Sequence, residues 1–93
     1  MVKHIVLFTV KEGEDKEQVA KLAADALEPL VGKIEGLTHV EVRRTYAGAD
    51  FALYCELTTR EAMAAYAVHP LHVEAKGQFF HLLSGRVAAD YEV

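Results

Sequence analysis

Residues 2–11, VKHIVLFTVK, are rich in β-branched and aromatic side chains and read as a strand. Alternate side chains of an extended backbone point to opposite sides, so Val2, His4, Val6, Phe8 and Val10 share one face while Ile5 and Leu7 occupy the other. Both faces carry apolar groups. A sheet built around such a strand must be covered on each side, because a broad apolar face left in water is unstable.

The rest of the chain supplies one cover. Asp15 stands three residues before Gln18 as a capping-box pair, and Val19, Leu22, Ala23, Ala26, Leu27 and Leu30 follow at helical spacing. Pro29 kinks or stops this helix, and GKIEG turns the chain into a second strand at 37–45. There Val40 and Val42 face away from His39, Glu41 and Arg43. A third strand, FALYCELT at 51–58, sets Phe51, Leu53, Cys55 and Leu57 against Ala52, Tyr54 and Glu56, the pattern of a central strand. Thr58 and Glu61 form a second capping box opening a short helix, which restarts with Pro70 in the first position, where its missing N–H costs nothing. Gly77 weakens that second piece. The final stretch, GRVAADYEV, is a strand with Val87, Ala89, Tyr91 and Val93 on one face. With no repeat, linker or low-complexity segment, the order β-α-β-β-α-β spans residues 1–93 as a single domain. This predicts an α+β, ferredoxin-like fold with an antiparallel four-stranded sheet.

The second cover has to come from outside the chain. A chain of 93 residues buries only about two-thirds of the surface that its unfolded form exposes. A second copy packed sheet to sheet by a two-fold axis covers the remaining face and predicts a homodimer with a barrel-like core between the sheets. A charge in the barrel interior, such as Val6→Asp, is expected to dissociate or unfold it.

Charge and composition narrow the partners. Lys and Arg number 10 against 14 Asp and Glu, and no basic cluster exceeds the pair Arg43–Arg44, so neither nucleic acid nor an anionic membrane is an expected partner. The composition, 52% hydrophobic and 26% charged, suits an ordinary globular domain. No run has the length of a membrane span, the apolar IVLF near the start is too short for a leader, and the lone Cys55 forms no internal disulfide. A cytoplasmic protein is the expectation.

The candidate chemistry lies around HPLHV, residues 69–73. An imidazole titrates near neutrality, so His72 in a pocket can take a proton from carbon beside a carbonyl if a donor such as Tyr66 stabilises the enolate. The alternative is that His72 packs under the helix and bonds a carbonyl. His69, immediately before Pro70, is placed to satisfy a free backbone N–H at a helix start. A metal on His69 and His72 lacks a third ligand and a supporting shell, so none is expected. His4 is either a buried polar group in an apolar face or a pocket wall. His39 reads as solvated, and His81 as a cation-bearing group late in the last helix. Cys55 reads as inert core. Tyr46, Tyr54 and Tyr91 read as packing residues with one wet end, and Phe79–Phe80 as core aromatics able to line a pocket mouth.

Taken together, VKHIVLF at the start, HPLHV at 69–73 and DYEV at the end resemble the stress-responsive A/B barrel domain family over essentially the whole chain. The resemblance implies a dimeric α+β barrel without a cofactor. It says less about activity, since many members have no established reaction. Plant olivetolic acid cyclase, a relative that closes a linear polyketide by intramolecular aldol condensation, implies His72 and Tyr66 as a catalytic pair and His4 as a pocket histidine. Leu53 stands about where that cyclase has a further pocket histidine, a departure that separates the two substrates. The ligand-binding set implied is His4, Leu53 and Phe80, around a small apolar or aromatic carbonyl compound. Two readings follow: a homodimeric pocket protein without chemistry, or a cyclase-like acid–base enzyme. Small monooxygenases, isomerases and haem-handling enzymes on the same barrel are similar in fold alone.

Overall fold

The computed structural model describes residues 1–93. Four strands, β1 (Val2–Val10), β2 (Leu37–Arg44), β3 (Phe51–Leu57) and β4 (Leu83–Glu92), form one antiparallel sheet in the order β2-β3-β1-β4. Three helices, α1 (Lys16–Leu27), α2 (Arg60–Val68) and α3 (Pro70–Gly77), join them, with short 3₁₀ turns at Glu28–Leu30 and Phe80–Leu82. The ferredoxin-like order is the one expected, with β1 and β3 in the centre.

The local signals act largely as read. The Asp15 carboxylate accepts from the Gln18 N–H at 3.1 Å, and Pro29 ends α1 in a 3₁₀ turn. The second cap is Thr59, whose hydroxyl accepts from the Ala62 N–H at 3.0 Å, one residue beyond the Thr58 expected. The second helical region divides at His69. Pro70 disfavours the α conformation in the residue before it, so His69 is extended (φ −63°, ψ 133°), and its Nδ1 accepts from the Leu71 N–H at 3.1 Å. The capping role expected for His69 is the one it has. His81 lies in the 3₁₀ turn past the end of α3, outside the helix that the sequence suggested. β4 begins two residues before Gly85, and Tyr46 is fully exposed instead of packed.

Val2, Val6, Phe8 and Val10 of β1 are buried together with Phe51, Leu53, Cys55 and Leu57 of β3, under the helices. Phe8 stacks on Phe51 at 4.8 Å, and Phe79 meets Phe8 edge-on at 5.9 Å. Val6 is therefore in the core of one subunit, not in a space between two sheets, so Val6→Asp would test folding and not association. The turn into β2 is tight against α2: a Cβ on Gly36 (φ +85°) would lie 2.5 Å from Ala62 Cβ, so only glycine admits the helix there.

The opposite face of the sheet has no helix over it. Ile5 is paired with Ala89 and Tyr54, and Leu7 with Val87 and Ala52, giving an apolar stripe along β1 and β4. Leu7 is 41% exposed, Tyr91 51% and Val87 69%. Toward β2 the same face is polar but internally paired, with Glu56 accepting from Lys3 and, at 2.6 Å, from the Tyr54 hydroxyl. No helix is long and apolar enough to cross a membrane.

Candidate functional site

The site lies between the sheet and the α2–α3 break. Along β4, Arg86, Ala88, Asp90 and Glu92 pair with Phe8, Val6, His4 and Val2, so their side chains alternate onto the helix side of the sheet. α1 packs on β2 and α3, and α2 on β2 and β3. β4 residues stay exposed, and a cavity of about 220 Å³ remains beside β1. His4, Val6, Phe8, Leu53, His72 and Phe80 line it, with Lys76 and Arg86 also on its wall. A shallower depression of about 410 Å³ lies on the far side of Met63, crossed by the Arg60–Glu92 ion pair. Asp90 lines that larger surface, but neither histidine does; both imidazoles are on the wall of the smaller and more enclosed space.

Two imidazoles and a phenol ring form a stack behind the cavity. Tyr66 and His72 lie face to face with ring centroids 4.0 Å apart, and His4 meets Tyr66 edge-on at 6.3 Å. The structure brings His4, Leu53, His72 and Phe80 together on one wall. Tyr66 is fully buried and not on that wall; its hydroxyl lies 3.9 Å from Cys55 Sγ, toward the sheet. Burial raises the Tyr66 hydroxyl above its ordinary value and pushes the Cys55 thiol up to about 12, so both stay protonated. Cys55 is packed as a small apolar residue.

His4 is 6% exposed and in hydrogen-bonding contact with Asp90 through Nδ1. A carboxylate only accepts, so Nδ1 is the donor of this contact. Asp90 is the residue that sequence reasoning missed. The alternation of β4 set it opposite Ala89 and Tyr91, but its pairing with His4, 86 residues away, depends on register. Lys76 and Arg86 were missed for the same reason. No group of three His, Cys, Asp or Glu side chains converges in a way that could hold a metal ion.

His72 is 9% exposed and donates from Nδ1 to the Ala67 carbonyl at 3.4 Å. Burial pulls its pKa down to about 4, with the nearby Lys76 and His4 adding to the effect, so the ring is neutral at pH 7. In the unfolded chain the same imidazole titrates near 6.5. Below that pH the unfolded state takes up a proton that the folded state refuses, so stability is complete above pH 6.5 and falls as the pH drops toward 4. We expect urea midpoints that are level from pH 8 to 7 and decline from 6.5 downward, with His72→Asn removing most of the decline between 6.5 and 5. An unchanged slope in that variant would mean that another group sets it.

The model of the family described as "Stress responsive A/B Barrel Domain" matches residues 2–93. An uncharacterized protein of Streptomyces coelicolor is 30% identical over 97 residues, covering 99% of each chain. The Arabidopsis thaliana stress-response A/B barrel domain-containing protein HS1 is 27% identical, covering 98% of this chain and 88% of its own. Among solved structures, a dimeric protein of unknown function and ferredoxin-like fold from Bacteroides fragilis superimposes with a TM-score of 0.89 at 32% identity, covering 99% of this chain and 95% of its own. A match that runs from the first strand to the last residue, in a chain with the fold those relatives share, makes this protein a member of the stress-responsive A/B barrel domain family.

Proposed function

We propose that the protein is a homodimer that binds a small apolar or aromatic carbonyl compound in the cavity beside His72. The observation that carries the reading is the cavity wall itself: apolar side chains from β1, α1, β3, α2 and the second 3₁₀ turn converge with two imidazoles, the composition of a small-molecule site. In about 220 Å³ there is room for a single ring with a short substituent. Dimerisation is supported by the apolar stripe around Leu7, Val87 and Tyr91 and by the dimeric Bacteroides fragilis relative. The charged groups flanking that stripe already satisfy one another, and Lys3 with Tyr54 holds the Glu56 carboxyl below its usual range, so a partner sheet can cover them without leaving a charge alone.

The test is an NMR titration of the uniformly labelled protein with acetophenone, beside a light-scattering mass. Amide shifts at Leu53, Ala67, His72 and Phe80 and a mass twice 10.3 kDa are the expected results. Shifts confined to the open sheet face, or none at the solubility limit, would refute the pocket. A mass of 10.3 kDa would refute the dimer.

A second reading, proton transfer at carbon beside a carbonyl, is favoured by the His4–Asp90 pair. An imidazole oriented by a carboxylate at a cavity wall is an arrangement suited to a base. His72 and Tyr66 hold the roles of base and donor in the cyclase-like form of this reading, whereas the position of the Tyr66 hydroxyl beside Cys55 supports a packing role for that residue.

A further inference from the structure

We propose that the cavity selects a carboxylate-bearing ligand, whose apolar body enters beside His72 and whose anionic head is held at the mouth by Lys76 and Arg86. The inference rests on the pocket reading above and names the chemical class that the pocket takes.

Both cations belong to the cavity wall, and both stand over a single ring: Lys76 Nζ is 5.3 Å from the Phe80 centroid and Arg86 Cζ 6.0 Å. The two come from unconnected elements, α3 and β4, so their convergence is a product of the fold. Of the other eight basic side chains, Lys3, Lys16, Lys21, Arg43, Arg44 and Arg60 each hold a carboxylate, while Lys11 and Lys33 hold none and lie away from the cavity. Lys76 and Arg86 hold none, in a chain whose net charge is −4. No carboxylate lines the cavity, and Asp90, on the neighbouring depression, is already engaged by His4.

An aromatic ring attracts a cation to its face but does not neutralise it, so two positive charges remain at one opening. An arginine beside a lysine offers the planar fork and the point charge that carboxylates take together. Apolar groups deeper in, Phe8 and Leu53 among them, would hold the body of the ligand. Arg86 faces the helix side of the sheet, because its pair Phe8 does, so this mouth stays clear of the open face assigned to dimerisation.

The experiment compares phenylacetate with its neutral counterpart phenylacetamide, with acetophenone as a second neutral probe, by NMR titration at pH 7.5. Phenylacetate is expected to bind at least tenfold more tightly than phenylacetamide, with shifts at Lys76, Phe80 and Arg86. Raising salt from 0.05 to 0.5 M should erode that preference, because the mouth is partly exposed. Lys76→Gln with Arg86→Gln should bring the acid to the level of the amide, with acetophenone shifts at Leu53 and Ala67 showing that the pocket is still formed. Equal binding of acid and amide to the native protein, or an acid preference that survives the double substitution, overturns the carboxylate assignment and leaves the pocket standing. No binding by any of the three probes overturns both.

Discussion

Leu7→Asp should convert the proposed dimer to a folded monomer. Leu7 lies in the centre of the open face between Val87 and Ala52, and its side chain is 41% exposed within one subunit, so Asp is tolerated there by the isolated fold. In the proposed dimer the two-fold axis buries two such charges. An uncompensated buried charge costs on the order of 3–5 kcal/mol, so association should weaken by a factor of about a thousand or more. Light scattering at micromolar concentration should give 10.3 kDa, with the far-ultraviolet circular dichroism unchanged. A Leu7→Asp protein that keeps twice that mass would show that subunits meet by some other surface.

Phe51→Ala should have the largest effect on stability. Phe51 is fully buried at the start of β3, stacked on Phe8 at 4.8 Å and near Phe79 at 6.5 Å. Truncating a buried phenylalanine costs about 3–5 kcal/mol, because transfer energy is lost and the cavity collapses only in part. For a domain of this size that lowers the melting temperature by roughly 12–40 °C. Tyr46→Ala is the matching control: Tyr46 is fully exposed, and its removal should move stability by less than about 0.5 kcal/mol. A loss below 1 kcal/mol at Phe51 would contradict the packing described around it.

The elements were legible because their signals are local. β-Branched and aromatic content marked β1, alternation marked β3, the Asp15 cap marked the start of α1, and the His69-Pro70 pair marked the break between α2 and α3. A misreading by one residue at the second cap arose because Thr58 and Thr59 are equally able to cap, and only the backbone decides which hydroxyl meets a free N–H. Tyr46 was misjudged because a tyrosine in a turn has no periodic neighbours to reveal whether it packs.

The site was half legible. His72 and Tyr66 were named as a catalytic pair and His4, Leu53 and Phe80 as a binding set; His4, Leu53, His72 and Phe80 line one cavity, and Tyr66 lies outside its wall. Asp90, Lys76 and Arg86 were not named, because each gains its meaning from a contact across the fold. His4 meets Asp90 only when β1 and β4 pair in one register, and Lys76 meets Arg86 only through the Phe80 ring, which the turn after α3 sets between them.

By itself, then, the sequence determined the element order, the faces of each strand and the need for cover on both sides of β1, since each follows from periodicity and short-range sterics. The tertiary structure decided which face holds the helices, how the edge strand leaves a cavity, and which charges gather at its mouth. Those depend on register and packing between residues far apart in the chain, where a slip of one residue would turn Asp90 and Arg86 to the opposite side of the sheet.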